Sequence, residues 1–340
     1  MKKDQIVIVT STDDAHADDM VMQLQGTGHD PIRLNSDDIP ANVKINLGLG
    51  EDLDSWGGSF EVLTNGRVID VDAIRSVWWR RPSEFGLPHE LSSQEREFAK
   101  EEIDGALRGL WSSLDCYWVS HPDRIGTANR KIEQLQRAAR FGFHVPRTLV
   151  TTDPEEALLF HATCGERMVF KVLTDPFLGA FNIDHADNVE LEAEIYEART
   201  TLITDIESGL LETVRLVPCM FQEYVPKQLE LRITVIGDDI FAAEIHSQAD
   251  ERTRVDWRQY DVDIPYRVAT LPHDVAERCL ALVKSYHLNF SALDLILTPE
   301  GQYVFVENNP NGQFIFVEQL VPELRMTEAL AACLIRGSNS

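Results

Sequence analysis

The sequence predicts an α/β protein of the mixed, α+β kind, in which helices alternate with both parallel and antiparallel strands. The first observation is at its start, where QIVIVTST (5–12) has the pattern of a buried strand, a helical stretch follows, and DPIRLN (30–35) forms the next strand. This β-α-β order is typical of parallel pairing. The second observation is a pair of alternating strand patterns around Gly237, which predicts an antiparallel hairpin. With 340 residues, the chain is long enough for two or three subdomains.

The charge balance argues against two classes of partner. A net charge of −25 leaves no surplus of cations to neutralise phosphates, so we expect no nucleic-acid partner. An anionic membrane surface is disfavoured on the same ground, since either partner needs a basic patch strong enough to overcome the field of the whole molecule. No apolar run reaches the roughly 18 residues of a membrane-spanning helix. High solubility alone also accounts for the acidic composition.

The cysteines and the first residues predict a cytoplasmic protein. Cys116, Cys164, Cys219, Cys279 and Cys333 are widely spaced, and no pair has metal-ligand or redox spacing. We interpret them as reduced thiols, most of them in apolar surroundings. The start MKKDQIVIVTSTDD is not a signal peptide, because its apolar stretch is too short and acids follow it directly.

The first predicted domain covers residues 1–120. Alternating apolar and polar residues predict exposed sheet strands after the β-α-β start, and a helix and a short strand close the domain. In chain order the sequence predicts strands at VKINLGLG, SFEVLT and IRSVWWRRP, a helix from Ser92 to about Leu114, and a strand at YWVSHP.

The second predicted domain covers residues 121–220. A long helix is predicted from Pro122 through NRKIEQLQRAARFGF. The stretch DPEEALLFHATCG predicts another helix, with Asp153 as its N-cap and Pro154 at its first position. Strands are predicted at HVPRTLVTT, MVFKVLTD and VPCMFQEYVPK, and the last of these runs into a kink at Pro226.

The third predicted domain covers residues 221–340. It begins with the hairpin LELRITVIGDDIFAAEI, and the polar stretch ADERTRVDWRQYDVDIP follows it. The remaining predicted elements are a helix from Asp274 to His287, the strand pair SALDLILTPEGQYVFVENN with a turn at Pro299 to Gly301, and a terminal helix from about Phe316 to Ile335.

Two carboxylates on the last strand pair predict a metal site. Asp294 lies six residues before Glu300 of the turn and Glu307 seven after it, so both reach similar heights on neighbouring strands. Like charges so placed repel and are costly to desolvate unless a cation lies between them. Asn309 points to the same face in an extended chain, and the three make an all-oxygen site that suits Mg²⁺ with nucleotide phosphates. A polar turn that caps the backbone is the alternative for the stretch ENNPNGQF.

Two lysines lie in positions that favour anionic partners. Lys171, in MVFKVL, would be buried if its strand is central, and a buried cation needs an anion beside it. Lys131 opens a helix, where bound phosphates are favoured. An ordinary surface lysine is the alternative for Lys131.

The stretch FQEYVPKQLELR supplies groups suited to a nucleotide. The backbone of Glu223 and Val225 at the strand end can pair with an adenine edge, and Glu230 can accept hydrogen bonds from two ribose hydroxyls. An exposed helix or loop acid is the alternative for Glu230. Arg232, on the same face two residues on, would point at the phosphates or at a forming acyl phosphate.

The order of these motifs resembles the ATP-grasp superfamily of carboxylate ligases. Lys131, Lys171, QEYV, ELR, Asp294 and ENN follow one another between about 120 and 335, and the ordered set is more specific than any one motif. Within that superfamily, VWWRRP, HSQ, VDWR and ENNPNGQF together resemble the graspetide ligases, microviridin-type enzymes that close side-chain rings in ribosomal precursor peptides. The first domain then resembles their pre-ATP-grasp domain, which extends the likeness to nearly the whole chain.

The resemblance implies ATP and Mg²⁺ as cofactors. The roles that it implies are adenine binding by Gln222, Glu223, Tyr224 and Val225, ribose binding by Glu230, phosphate binding by Lys131 and Lys171, metal binding by Asp294, Glu307 and Asn309, and catalysis by Arg232, Lys171 and Asn309. One departure concerns the loop that covers the phosphates. ATP-grasp enzymes often use a glycine-rich loop there, whereas this chain reads TDPFLGAFNIDH after Lys171, with only Gly179.

The implied reaction makes rings within a peptide. ATP would activate an Asp or Glu side chain of a precursor peptide as an acyl phosphate, and a Thr or Ser hydroxyl of the same peptide would attack it to give an ω-ester. A Lys amine would give an ω-amide instead. Because both groups belong to one chain held in place, most of the bimolecular entropy cost is avoided. The family also implies a leader recognised apart from the core, and a homodimer.

A peptide-binding surface is predicted outside the nucleotide motifs. The hairpin around Gly237 and the segment 249–263 offer an exposed docking edge, and the arginines of that segment offer local positive charge to an acidic core peptide. A solvated loop is the alternative. Consecutive arginines point to opposite faces of a strand, so at most one of the pair at 80 and 81 faces the site. The candidate peptide contacts are Arg80, Arg81, His246 (also a candidate base), Arg252, Arg254, Trp257 as an apolar anchor, and Arg258.

Two other functions stay open on the sequence alone. Another ATP-grasp ligase would add amino acids to a protein tail or join small metabolites with the same fold and ATP chemistry. VWWRRP, VDWR and ENNPNGQF are the stretches that argue against it. A non-catalytic nucleotide sensor would tolerate the loss of metal ligands, and the intact Lys171, Asp294, Glu307 and Asn309 argue against that function.

Overall fold

The structure of the protein is a computed structural model. It describes residues 3–50, 55–174, 177–178, 196–197, 200–205, 212–259 and 261–337. Among these residues helices and strands are mixed, with 37% helix and 30% strand. The predicted α/β class is therefore confirmed. No helix of the described residues is long and apolar enough to cross a membrane.

The strands and helices of the described residues are named here by their bounds. The strands are β1 (Gln5–Thr10), β2 (Ile32–Asn35), β3 (Val43–Leu49), β4 (Trp56–Val62), β5 (Arg67–Asp70), β6 (Ile74–Trp79), β7 (Tyr117–Val119), β8 (Thr148–Thr151), β9 (Met168–Lys171), β10 (Phe177–Leu178), β11 (Tyr196–Glu197), β12 (Thr201–Ile203), β13 (Cys219–Glu223), β14 (Leu229–Ile236), β15 (Asp239–Ile245), β16 (Tyr266–Val268), β17 (Phe290–Leu297) and β18 (Tyr303–Asn309). The α-helices are Ala15–Gly26, Ser93–Ser113, Pro122–Ala128, Lys131–Arg140, Pro154–Thr163, His273–Ser285, Ile315–Leu320 and Met326–Arg336.

The N-terminal sheet is parallel throughout, in the order β2-β1-β6-β7. Helix Ala15–Gly26 connects its first two strands, as the β-α-β pattern predicts, and Asp14 caps that helix by accepting a hydrogen bond from the His16 backbone N–H. A three-stranded antiparallel sheet, β3-β4-β5, packs beside it. Side chains at the carboxyl ends of β1 and β6 therefore face the rest of the molecule from one edge of a parallel sheet.

The middle sheet is antiparallel, in the order β12-β9-β13-β8. Its strand β9 is internal, so Lys171 at its end lies on a central strand, as the sequence predicts. Helix Pro154–Thr163 packs on this sheet and begins with Asp153 as its N-cap, as predicted. The predicted domain boundary at 220 falls inside β13, because pairing with β8 and β9 continues to the end of that strand.

The C-terminal sheet has five antiparallel strands in the order β16-β15-β14-β17-β18. The hairpin around Gly237 is present, but both of its strands are internal to this sheet. The prediction of an exposed docking edge at the hairpin is therefore wrong: β16 and β17 already occupy the hydrogen-bonding edges of β15 and β14.

Two predicted helices are each divided. The helix from Pro122 ends at Ala128, because Arg130 takes an extended backbone conformation and Lys131 begins a separate helix. The terminal helix is interrupted between Leu320 and Met326, where Pro322 lacks the N–H that a continuous helix needs.

One apolar core joins the first domain to the last. Ile8 of β1 and Trp78 of β6 belong to the same buried cluster as Phe290 of β17 and Leu330 of the final helix. The Arg75 guanidinium and the Ser76 hydroxyl donate hydrogen bonds to the Ile335 and Leu334 carbonyls at the end of that helix. The N-terminal sheet is therefore joined to the C-terminal sheet through the helix Met326–Arg336, which packs against both.

Candidate active site

The two carboxylates of the predicted metal site are direct neighbours. Asp294 on β17 and Glu307 on β18 are register partners, as the count of residues from the turn predicts. Val306 is an extra residue in the ladder next to this pair, which forms a bulge. The Asn309 side-chain nitrogen lies 3.1 Å from Asp294 Oδ2 and 3.3 Å from Glu307 Oε1. All three predicted metal ligands therefore converge on one point.

Neighbouring cations give the two carboxyls different acidities. Burial raises the pKa of Asp294 to about 6 against the attraction of Arg232, and the charge of Glu307 adds to the rise. Burial also acts to raise the pKa of Glu307, but Arg258 and Lys171 outweigh it and hold that pKa well below its usual range. Glu307 is thus ionised at neutral pH, and Arg258 and Lys171 balance its charge.

The Arg232 side chain is held in place by Asp294 on β17 and by the backbone of Gln313. It is only 6% exposed, and it is the register partner of Asp294 on the next strand. Its Nη1 donates hydrogen bonds to both Asp294 oxygens at 2.8 and 3.0 Å, and its Nη2 donates to the Gln313 carbonyl at 2.9 Å. Arg232 lines the large cleft, and its guanidinium is bonded there to Asp294.

A glycine makes this position of Arg232 possible. A Cβ atom at Gly312 would lie 2.8 Å from Arg232 Nη2, 2.7 Å from Ala292 Cβ and 3.1 Å from Asn309 Cβ. The first two distances are shorter than the contacts that Cβ atoms make in folded proteins. A side chain at this position would therefore displace the guanidinium or the loop. The glycine is needed for close approach rather than for an unusual backbone angle.

The two predicted phosphate-binding lysines lie at the same cleft. Lys131 and Lys171 line it together with Asp294 and Glu307. Burial lowers the pKa of Lys171, and the charge of Glu307 opposes that shift. The Lys131 ammonium donates a hydrogen bond to the Val172 carbonyl at 2.7 Å, which ties the helix start to the end of β9. The glycine-poor loop that contains Gly179 lies outside the described residues.

The predicted nucleoside-binding residues line an adjoining cavity. Gln222, Glu223, Tyr224, Val225 and Glu230 all face it. The amide of Gln222 donates to Thr148 Oγ1, and the carboxylate of Glu223 accepts from the Arg147 N–H and Nε. The side chains of Gln222 and Glu223 are thus bonded to residues at the start of β8. The Glu223 and Tyr224 N–H groups donate hydrogen bonds to the Arg147 and Arg167 carbonyls.

Glu230 is not the exposed acid that the alternative interpretation requires. It is 8% exposed, and its Oε1 accepts hydrogen bonds from Lys227 Nζ at 2.5 Å and from Ser247 Oγ at 3.0 Å. Lys227 also lines the cavity, and the sequence analysis missed it. The sequence signal for Lys227 is its position three residues before Glu230, because that spacing allows the two side chains to form an ion pair near the start of a strand.

Three of the predicted peptide contacts line the large cleft, namely Arg81, Trp257 and Arg258. Trp257 stacks on Phe316 with ring centroids 5.7 Å apart, so both rings form one apolar surface. Arg258 is paired with Asp256 at 2.9 Å and lies 3.9 Å from Glu307. Arg258 therefore carries positive charge to the carboxylate pair itself.

Arg80 does not contact the cleft. It is 2% exposed, donates a hydrogen bond to the Asn311 carbonyl at 2.7 Å and lies 3.7 Å from Asp14 Oδ2. Burial lowers its pKa to about 10. The prediction of Arg80 as a peptide contact is wrong, whereas the expectation that at most one of Arg80 and Arg81 faces the site is confirmed.

The polar segment 249–263 and His246 also depart from prediction. Arg252 and Arg254 line neither cavity, and Arg252 is paired with Asp250 and Asp261. The segment holds three arginines and five acidic residues, so its charge is not locally positive. His246 lies 3.0 Å from the Glu244 carboxylate and away from both cavities, so it is wrongly placed for a base.

The cleft as a whole is cationic and large enough for a phosphate chain and a side chain. Its volume is about 780 Å³, within the usual range for small-molecule sites. The acids that line it are Asp294 and Glu307, and the cations are Arg81, Arg130, Lys131, Lys171, Arg232 and Arg258. In a protein of net charge −25, this is a local reversal of sign.

The donor set fits a hard divalent cation. Among the described residues there is no cluster of three or more His, Cys, Asp or Glu side chains, so a metal here would be held by two carboxylates and an amide. Carboxylate and amide oxygens are ligands that Mg²⁺ accepts, with other positions left for phosphate and water. The amide of Asn309 is oriented by its hydrogen bonds, and a rotation exchanges its nitrogen for its oxygen.

Comparisons with known proteins find one family profile and several similar solved structures. The family profile of the MvdD pre-ATP grasp domain matches residues 5–126. A sequence search of curated proteins gives no match.

Solved structures are similar over nearly the whole chain. The macrocyclase MdnC from Microcystis aeruginosa MRC, solved bound with precursor peptide MdnA, is 28% identical with a TM-score of 0.83 and covers 98% of this chain and 99% of its own. A Chryseobacterium gregarium RiPP-associated ATP-grasp ligase, solved with ADP and a leader and core peptide, is 29% identical with a TM-score of 0.85 and covers both chains fully, at 100% each. The macrocyclase MdnB from the same Microcystis strain is 28% identical with a TM-score of 0.77, over 97% and 98% of the two chains.

Proposed function

We propose, from the premise that this chain is a graspetide-type ATP-grasp ligase, that it is an ATP-dependent macrocyclase of a ribosomally made precursor peptide. It activates Asp or Glu side chains of that peptide and closes them onto Thr or Ser hydroxyls. Two similar enzymes support the peptide partner, since one was solved with precursor peptide MdnA and the other with ADP and a leader and core peptide.

The observation that carries this proposal is the junction between the two cavities. Lys171, Trp257, Arg258, Asp294 and Glu307 line both the cavity along the nucleoside-binding segment and the large cleft. A nucleotide bound in the first cavity would therefore direct its phosphates to the carboxylate pair, where a side chain from the cleft meets them. Such an arrangement suits transfer of a phosphoryl group between two bound substrates.

The first step transfers the γ-phosphoryl group of ATP to a substrate carboxylate, which gives an acyl phosphate and ADP. Asp294, Glu307 and Asn309 would hold Mg²⁺, which would neutralise charge on the phosphates when bound. Lys131 and Lys171 donate hydrogen bonds to the phosphate oxygens and neutralise the charge that develops in the transfer. Because these groups are fixed on strands and a helix start, they are oriented before the substrate arrives.

The second step forms the ring. The hydroxyl oxygen of the substrate Thr or Ser attacks the acyl carbon, its proton is given up to a base, and the C–O bond to phosphate breaks. Arg232 stabilises the oxyanion of the tetrahedral intermediate, once its guanidinium is shared between Asp294 and the substrate. The Trp257 ring excludes water from one side of the centre, which limits hydrolysis of the acyl phosphate.

Several finer features belong to the same proposal. We expect ω-ester rather than ω-amide products, dependence on a leader peptide, and a homodimer. The five free cysteines and the use of ATP favour the cytoplasm. The chain divides into a pre-ATP-grasp domain that ends near residue 120 and two ATP-grasp subdomains, which we separate after β13 rather than at 220.

Mass spectrometry of a precursor peptide tests the proposal. A peptide rich in Thr and Glu, incubated with the protein, ATP and MgCl₂, is expected to lose one water mass for each ring. Methanolysis then opens esters but not amides. Glu307→Gln should abolish the loss, because it removes a charge from the metal site. Glu300→Gln, in the exposed turn of the same hairpin, is the matched control and should cyclise normally.

Two outcomes would contradict the proposal. An ATP-dependent gain of an amino acid's mass on an acceptor protein would assign the chain to ligases that extend protein tails. Equal cyclisation by Glu307→Gln and the native chain would remove the carboxylate pair from the reaction.

A further inference from the structure

One buried amide next to the carboxylate pair has no role in the proposed chemistry. Gln134, on helix Lys131–Arg140, is 3% exposed. Its Nε2 donates hydrogen bonds to the Asn308 carbonyl at 2.7 Å and to the Ala128 carbonyl at 2.6 Å. Its Oε1 accepts a hydrogen bond from the Asn308 N–H at 3.0 Å. Donor and acceptor of one side chain thus bind both backbone groups of one strand residue.

This pairing replaces a missing strand. β18 is the last strand of its sheet, so its outer backbone groups have no ladder partner from the sheet. The Phe305 N–H donates a hydrogen bond to the His144 carbonyl, and the Asn308 N–H donates one to the Gln134 side chain. An amide side chain has the same donor and acceptor as a peptide group, so it can occupy that place. Buried backbone groups there would otherwise be left unpaired, which destabilises the folded state.

The residue fixed in this way lies between two predicted metal ligands. Glu307 and Asn309 flank Asn308 and point toward the cleft, where their side chains contact each other. The Asn308 side chain points away, and its Oδ1 accepts a hydrogen bond from Ser291 Oγ at 2.6 Å. Any shift of the Asn308 backbone therefore moves both metal ligands together.

The same helix carries a phosphate-binding residue. Lys131 lies three residues before Gln134, on the same helix face, and both line the large cleft. The Gln134 side chain also binds Ala128, at the end of the preceding helix. Gln134 thus connects the helix that begins at Lys131 to the strand that carries Glu307 and Asn309.

We infer that Gln134 is a positioning residue for the metal site: it fixes Glu307 and Asn309 through the Asn308 backbone and sets their distance from Lys131. This inference rests on the proposed function, because it takes these residues as ligands of Mg²⁺ in a nucleotide complex. Groups that orient metal ligands commonly change metal affinity by about 10–100-fold when they are removed.

Calorimetry of ADP binding, with and without MgCl₂, tests the inference without reference to peptide cyclisation. Gln134→Glu keeps the shape of the side chain but replaces both donated hydrogen bonds by contact of a carboxylate with two carbonyls. We expect it to raise the Mg²⁺ concentration needed for half-maximal enhancement of ADP binding by about tenfold or more. ADP affinity without Mg²⁺ should change less than twofold. Gln134→Met, which removes all three bonds, should shift the Mg²⁺ dependence in the same direction.

Ser291→Ala is the matched control. It removes a buried hydrogen bond to Asn308 but leaves both backbone bonds of Gln134 intact, so it should lower thermal stability and leave the Mg²⁺ dependence unchanged.

The outcomes are separable. A native Mg²⁺ dependence in folded Gln134→Glu and Gln134→Met overturns the positioning role, as does an equal shift in Ser291→Ala. A native chain that binds ADP without any response to Mg²⁺ contradicts the metal site and this inference with it. A native chain with Mg²⁺-dependent ADP binding but no cyclisation contradicts the proposed reaction and leaves the inference to be decided by the variants.

Discussion

Gly312→Ala tests whether close packing of the loop at 311–313 holds Arg232 in place. The new Cβ would lie 2.8 Å from Arg232 Nη2 and 2.7 Å from Ala292 Cβ. Both contacts are about 1 Å shorter than an ordinary carbon contact, so either the guanidinium or the loop must move by about that amount. Overpacking of this kind costs about 1–3 kcal/mol of unfolding free energy. Because Asn309 Cβ is also within 3.1 Å, the displacement reaches a predicted metal ligand.

The expected effect on the reaction is larger than the effect on stability. A displacement of about 1 Å at a reacting centre can lower kcat by about 10²-fold. The assay measures ATP turnover with a precursor peptide, and thermal unfolding in parallel. We expect kcat to fall about 100-fold while the KM for ATP changes little, because the nucleoside cavity is formed by other residues.

A second glycine provides the control. Gly126 lies in helix Pro122–Ala128, and a Cβ there meets nothing within 4 Å. Gly126→Ala should therefore keep native kcat and gain up to about 1 kcal/mol of stability. Native kcat and native stability in Gly312→Ala would refute the argument, because the guanidinium would then not be packed against this loop.

Two further predictions follow from buried ionisable groups. Lys227→Met leaves Glu230 without its cation, so ADP affinity measured by calorimetry should fall at least tenfold and the free energy of unfolding by about 3 kcal/mol. The exposed Lys284→Met is the control and should change neither quantity. Native ADP affinity in Lys227→Met would contradict a role in the nucleoside cavity. Burial, together with the charge of Arg80, lowers the pKa of His16 from 6.5 to about 4. Between these pH values His16 is protonated in the unfolded chain but neutral in the folded protein. The free energy of unfolding should therefore fall as the pH drops from about 6.5 to 4. His16→Phe, which can keep the edge contact with Phe314, should flatten that part of the denaturant-measured pH profile; an unchanged slope would show that His16 does not cause it.

The parts of the site that could be predicted from the sequence depend on short-range geometry. The turn at 299–301 fixes the register of its two strands, so counting residues was enough to pair Asp294 with Glu307. The sequence predicts burial of Lys171 only if its strand is central, and β9 is an internal strand of its sheet. These inferences need only the period of a strand and the length of a turn.

The parts that failed depend on contacts between distant segments. The sequence does not show that Arg80 is buried, because its partner, the Asn311 carbonyl, lies 231 residues away. It does not indicate a role for Gln134 either, because Asn308 lies 174 residues away. The predicted positive charge of the segment 249–263 rests on its arginines alone. It leaves out the neighbouring acids, two of which pair with Arg252. Periodicity contains no information on such pairings.

The bond from Arg80 to the Asn311 carbonyl has a consequence for exchanging domains between related enzymes. The donor belongs to the N-terminal sheet, and the acceptor lies in the loop that follows the carboxylate pair. On its other side the same loop is held by Arg232 through the Gln313 carbonyl. A chimera that takes its first 120 residues from a relative without an arginine in this place would lose one of the two anchors of that loop. Such a chimera would inherit a defect in catalysis from a residue that does not itself line the cleft.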